Sequence, residues 1–296
     1  MTNEIVAGTD GSAGATHAVV WAAHEAARQG VPLRVVHALP KWTYASPPGS
    51  RHPEISMWWR SEARRLLQET VAEAERETPG IVVRSVLAFG DPGPVLLSET
   101  DSAEMIVVGH GGLGEMRGLL LGSVALRLAG RTPCPLVVVG HIPATERGEI
   151  LVGTDGSPGS RMALRFAFEA AERSGALLRV MHVWSPGVPL TPDLAGHRVA
   201  DTEHCARVLA DAVAPWRERH PAVKVQDEIA HGHPVQLLAA ASTAADLLVV
   251  GSRGLGGFSG LVLGSVGHGV LHHARCPTVI VPAHTEPAEL LGDSGG

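Results

Sequence analysis

Short apolar runs alternate with amphipathic stretches along most of the chain. Ile5-Val6-Ala7 is continuous rather than alternating, and it stops at the turn-forming sequence Thr9-Asp10-Gly11-Ser12. Over 15–29 the period changes: Ala18, Val19, Ala22, Ala23 and Ala26 recur three and four residues apart. That spacing predicts a helix, and Gly30 ends it. A strand over 33–38, a charged amphipathic helix over 59–78, a strand over 82–88 and a short helix over 93–100 follow. A strand over 105–108, a helix over 123–130 and a strand over 136–139 complete the series. Short β-branched strands without polar positions are buried on both faces, and the intervening helices supply the cover. The pattern predicts an α/β fold with a doubly wound, Rossmann-like parallel sheet of five strands.

The pattern occurs twice. Residues 3–40 align with 148–185 without a gap at an offset of 145, so that Gly8-Thr9-Asp10-Gly11-Ser12 falls on Gly153-Thr154-Asp155-Gly156-Ser157. Farther on the offset is 142: Phe89-Gly90-Asp91-Pro92 meets His231-Gly232-His233-Pro234, and Cys134-Pro135 meets Cys276-Pro277. Such a period is too long for a solenoid, so a whole domain is duplicated. The expected domains are 1–142 and 148–284, joined through "GHIPATER" (140–147), with 285–296 a disordered tail.

Both copies place a glycine-rich segment after the fourth strand: "GHGGLGEMRGLLLGSV" (109–124) and "GSRGLGGFSGLVLGSV" (251–266). The spacing is Gly109-x2-Gly112-x9-Gly122-Ser123 and Gly251-x2-Gly254-x9-Gly264-Ser265. Glycine there is expected to allow positive φ and to bring backbone amides close to a ligand. The following helix start would present the amides of Ser123, Val124, Ser265 and Val266 to an anion. The plainer expectation is a surface loop with Ser123 and Ser265 as helix caps; identical spacing in two diverged copies favours a site. No Walker lysine is present, and the dinucleotide fingerprint would follow the first strand.

Composition narrows the ligand. The 296 residues carry a net charge of -6, with no basic excess for nucleic acid or an anionic membrane. Lys41 and Lys224 are the only lysines, so a phosphate site must work largely without them. No apolar run reaches membrane-spanning length, and "MTNEIVAGTDGS" has neither a basic n-region nor an apolar h-region. Three scattered cysteines make no disulfide framework, and a cytoplasmic location is expected.

On these motifs the chain resembles the tandem universal stress proteins, over roughly 3–140 and 148–282. The resemblance implies ATP, possibly with Mg²⁺, held by the glycine segment, by the Asp that ends the first strand, and by the backbone past the second strand. The first site would comprise Gly8, Asp10, Ala38, Gly109, His110, Gly111, Gly112, Leu113, Gly114, Glu115, Gly122, Ser123 and Val124. The second would comprise Gly153, Asp155, Val183, Gly251, Ser252, Arg253, Gly254, Leu255, Gly256, Gly257, Gly264, Ser265, Val266 and Gly267. It further implies pairing through fifth strands, in a homodimer or between the two halves, and a signalling partner of unidentified kind.

Asp10 and Asp155 could hold Mg²⁺, touch the nucleotide directly, or form an Asx-turn that starts the helix. Arg253 faces Gly111 in the alignment and Gly257 faces Glu115, so the second site should favour phosphates more. His231, His233, His268, His272 and His273 complete no zinc spacing, so no metal centre is expected. His37 and His182 are expected in hydrogen-bonded, non-catalytic roles. Trp42, Tyr44, Met57, Trp58 and Trp59 flank a Pro-rich insertion that would serve as a lid, an interface or ordinary packing. No catalytic constellation is legible; a slow ATPase or nucleotidyl-transfer enzyme is the alternative to a non-catalytic regulator.

Overall fold

The computed structural model describes residues 3–44, 53–112, 121–184, 194–254 and 263–283. The chain divides into two compact units, Met1–Ile142 and Pro143–Gly296. In the first, β1 (Glu4–Thr9), α1 (Ala13–Gln29), β2 (Leu33–Leu39), α2 (Pro53–Glu77) and β3 (Val83–Phe89) lead to α3 (Pro92–Ser98). β4 (Ala103–Gly109), α4 (Ser123–Leu128) and β5 (Leu136–Val139) follow. The strands lie in the order β3-β2-β1-β4-β5, with every pairing among them parallel. The chain winds outward from β1 to β3 and then crosses to β4 on the other side of β1. That reversal is the switch point where open α/β sheets leave a crevice at the carboxyl ends of the strands.

The second unit repeats the plan. Its elements are β6 (Glu149–Thr154), α5 (Pro158–Ser174), β7 (Leu177–Trp184), α6 (Leu194–Arg219), β8 (Val225–His231), α7 (Pro234–Ala241), β9 (Leu247–Gly251), α8 (Ser265–His273) and β10 (Thr278–Val281). Their order is β10-β9-β6-β7-β8, again parallel. The doubly wound α/β reading therefore holds in both halves.

Local chemistry explains the element ends. The Ser12 side chain accepts from Ala15 N–H at 3.2 Å to cap α1, and Gly30 closes it at φ 67°. Ser157 accepts from Ser160 N–H at 3.2 Å and Gly175, at φ 70°, ends α5. Helix α2 starts at Pro53, six residues ahead of the expected start. Its first turns expose Ile55, Met57, Trp58 and Trp59, so no buried stripe marks them in the sequence. Strands β1, β4 and β5 are apolar and buried, with Ile5, Val6, Ile106, Val107, Leu136 and Val137 fully covered. α1 covers them with small side chains, Ala18, Ala22, Ala23 and Ala26, which lets helix and sheet approach closely.

At the amino ends of the strands each unit buries an ion network. Arg34 bridges Glu4 and Glu99 in the first. Burial works against the Arg34 charge, but the two carboxylates outweigh it and hold its pKa raised. In the second, Arg179 lies 2.8 Å from Glu149 and 3.4 Å from Glu228, and donates to the Ala241 carbonyl at 3.0 Å. Among the described residues no helix is long and apolar enough to cross a membrane.

Candidate functional site

At the carboxyl ends of β1, β2 and β4 the first unit encloses a cavity of about 420 Å³. Its lining brings together nine of the residues expected from the sequence: Gly8, Asp10, Ala38, Gly109, Gly111, Gly112, Gly122, Ser123 and Val124. The rest of the wall is Thr9, Ala15, Val36, Pro92, Leu96, Val108 and Ala125, which the sequence reading did not select. Two signals could have found some of them. Pro92 sits in the repeated Gly-x-Pro at the start of the third helix, and Val36 lies two residues before Ala38 on the same face of β2. The wall is apolar around Val36, Ala38, Leu96 and Val108 and polar around Asp10, Ser123 and the glycine backbone. Among the described residues, Asp10 is the one charged side chain in it.

The glycine segment is a closed excursion. His110 N–H donates to the Val139 carbonyl at 2.9 Å, and Gly122 N–H donates back to the His110 carbonyl at 2.7 Å. In the second unit Ser252 N–H donates to the Val281 carbonyl at 2.7 Å and Gly264 N–H to the Ser252 carbonyl at 2.8 Å. The loop thus leaves and returns at one backbone point beside the fifth strand, which accounts for its constant length in both copies. Leu113, Gly114, Glu115, Leu255, Gly256 and Gly257 lie outside the described residues.

Positive φ is not the reason for glycine at the described loop positions. None of Gly109, Gly112, Gly122, Gly251, Gly254 and Gly264 has positive φ; that conformation falls at Gly11 and Gly156 in the first turn, φ 82° and 79°. What Gly109, Gly112, Gly251 and Gly254 meet is crowding. A Cβ on Gly109 would lie 3.0 Å from the Gly14 carbonyl, and one on Gly251 2.7 Å from the Gly159 carbonyl oxygen. A Cβ on Gly112 would lie 2.7 Å from Asp10 Oδ2, and Gly254 is equally blocked by Asp155 Oδ2. Gly8 and Gly153 serve packing as well: a Cβ there would lie 2.8 Å from Leu96 and 3.0 Å from Leu238, respectively.

Ser123 and Ser265 are not the helix caps. Gly122 and Gly264 occupy the cap positions, without a side-chain cap bond, and the serines begin α4 and α8. Ser123 and Val124 line the cavity, and the first amides of a helix have no intrahelical acceptor. α4 has six residues, so its contribution is these local N–H groups more than a long dipole.

Asp10 forms the expected Asx-turn. Its Oδ1 accepts from Ser12 N–H at 2.9 Å, an Asx-turn, while Oδ2 faces Gly112 across the crevice. Asp155 repeats this, with Ser157 N–H at 3.0 Å from Oδ1 and Oδ2 facing Gly254. A carboxylate beside each glycine segment is compatible with Mg²⁺ held chiefly by ligand phosphates. Among the described residues no group of three or more His, Cys, Asp or Glu is placed to hold an ion.

His37 and His182 stand behind this turn. His37 Nδ1–H donates to the Thr9 carbonyl at 2.8 Å, and His182 Nδ1–H to the Thr154 carbonyl at 3.0 Å. Each bond joins register partners on neighbouring strands and fixes the carbonyl just before the Asp. Burial pushes the His182 imidazole below its ordinary value, against the opposing pull of the Thr154 carbonyl and Asp155. Burial likewise pushes the Cys134 and Cys276 thiols up to about 12.

Among the described residues expected in the first site, His110 does not line the cavity. The His110 side chain packs beside Gly140 at the end of β5. Ser252 is buried and Arg253 is exposed. Gly267 is buried, where a Cβ would lie 3.0 Å from Leu263. Val183 is the next-to-last residue of β7, the counterpart of Ala38, beside Ala230 of β8. The aromatic cluster is built of edge contacts, Trp42–Trp59 at 6.2 Å and Trp58–Trp59 at 5.6 Å between ring centres, and its rings are exposed. The Pro-rich residues 45–52 between them lie outside the described residues.

A family model of the universal stress proteins matches twice, over residues 1–140 and 146–282. The chain belongs to the universal stress protein family. A universal stress protein of Mycobacterium tuberculosis strain H37Rv is 35% identical over 284 residues, covering 93% of this chain and 96% of its own. One from Mycolicibacterium smegmatis is 34% identical, covering 94% and 96%. Among solved structures, a universal stress protein from Archaeoglobus fulgidus shares the fold at a TM-score of 0.69 and 22% identity, covering 96% of this chain and 99% of its own. Both halves of this universal stress protein are therefore family domains.

Proposed function

We propose that this protein binds ATP, with Mg²⁺ on its phosphates, and acts as a regulator whose conformation or partner choice follows occupancy. The observation that carries the reading is the cavity of the first unit: an apolar wall suited to a base, meeting a rim of backbone amides suited to phosphates. Phosphate would be held by N–H groups of Gly111, Gly112, Ser123 and Val124, with Asp10 Oδ2 toward the ion. Among the described residues, no lining residue is a lysine or arginine. His37, behind the turn, is engaged with the Thr9 carbonyl, which favours binding over turnover.

The second unit repeats the hydrogen-bonded loop and the Asp turn, so two sites per chain are proposed, with the second the tighter. Arg253 replaces Gly111 there and adds a cation next to Gly254, whereas Glu115 adds a carboxylate to the first loop. The test is to purify the protein without added nucleotide, denature it, and identify and count what is released. About two ATP per chain supports both sites and about one supports the unequal pair. ADP alone would turn the reading toward an ATPase. Release of nothing, followed by an ATP titration without binding, would overturn it.

A further inference from the structure

Helix α8 carries His268 and His272 four residues apart, on one face. Their ring centres are 5.0 Å apart, at an interplanar angle of 60°. Two imidazoles that share an ion at about 2.1 Å, with an angle of about 90–110° at the metal, bring their ring centres to about 4.5–5.2 Å. The observed spacing falls within that interval before any ion is bound. His268 is exposed and His272 half-buried, so water can complete the coordination.

We propose that His268 and His272 form a bidentate site for a borderline-soft divalent cation of the Zn²⁺, Cu²⁺ or Ni²⁺ class. Neutral imidazole suits these ions, whereas Mg²⁺ and Ca²⁺ prefer oxygen ligands. An imidazole needs only one ring nitrogen for the metal, and a hydrogen bond at the other orients it. His273 is the next residue along, so it projects from a different face, with its ring centre 6.3 Å from that of His272. The ion would tie together successive turns of a nine-residue helix, too short to be stable by propensity alone. The site belongs to the second unit alone, since Leu126 and Gly130 occupy the corresponding positions of the first. It does not depend on nucleotide binding.

The test uses the metal-free full-length protein, titrated with Zn²⁺ by calorimetry, beside the variants His268→Gln, His272→Gln and His273→Gln. Holding the second ligand on the same helix face makes its bond intramolecular, which multiplies affinity by about 10²–10⁴. The expected result is one site per chain whose affinity falls about 100-fold or more in either of the first two variants and is unchanged in His273→Gln. Because protons compete for imidazole, that binding weakens as pH falls. With Cu²⁺, electron paramagnetic resonance of the wild type should show two nitrogen ligands, and one in each pair variant. Absence of binding, loss in only one of the pair variants, or equal loss in His273→Gln would overturn the proposal. The side chains lie at the surface, and circular dichroism of each variant checks that the helices persist.

Discussion

The two glycine loops share one backbone design and differ in the groups set on it. In both, a hydrogen bond of 2.7 to 2.8 Å closes the excursion, an Asx-turn fixes the Asp, and a buried His holds the preceding carbonyl. Around that shared frame the copies diverge. Gly251 sits closer to its first helix than Gly109 does, Arg253 stands where the first copy has Gly111, and Ser160 stands where the first has Ala15. Ser160 Oγ accepts from the Thr154 hydroxyl at 3.1 Å, a bond the first copy cannot make. Backbone geometry has been kept where it shapes a crevice, and side chains have drifted where they tune affinity.

The largest expected effect lies at the amino ends of the sheets. Glu4 is fully buried, whereas Glu149 keeps some contact with water. Arg34→Leu should therefore cost about 3–5 kcal/mol by leaving the buried Glu4 only the more distant, exposed Arg84 at 4.0 Å, and Arg179→Leu about 1–3 kcal/mol. Urea unfolding of the two variants measures this; equal costs would show that the two networks are equivalent. Next come Gly112→Val and Gly254→Val, whose side chains would collide with Asp10 and Asp155. Each should abolish nucleotide binding at its own site by about 100-fold or more, roughly 2.7 kcal/mol. If the second site is the tighter, Gly254→Val removes the high-affinity phase of an ATP titration and Gly112→Val spares it. Equal losses break the asymmetry.

Gly251→Ala should destabilise by about 1–3 kcal/mol, because the atoms it meets are backbone and cannot swing away. Gly109→Ala, with slightly more room, should cost less, and thermal unfolding of the pair checks the order. The smallest effect is one of pH. The folded-state pKa of His182 lies below its ordinary value of 6.5, so the unfolded chain takes up that proton first. The resulting stability is present above 6.5 and is lost as pH falls toward the folded value. His182→Gln should flatten that part of the stability profile, and an unchanged profile would assign the pH dependence to other groups.

What was legible in the sequence is what repeats locally. Continuous β-branched runs, a period of three to four residues in α1 and its counterpart α5, and Ser and Gly at the ends of both identify a doubly wound domain written twice. Glycine spacing marks the loop because backbone crowding acts at fixed positions. The start of α2 was illegible because its apolar side chains face outward and form no buried stripe. Only tertiary structure could say that Leu96 and Pro92 wall the cavity, that His110 turns away from it, or that Gly109, Gly112, Gly251 and Gly254 are needed for clearance rather than for φ. Each of those facts depends on which atoms of distant segments meet, and a pattern along one chain encodes the periodicity of burial without naming the neighbour that buries it.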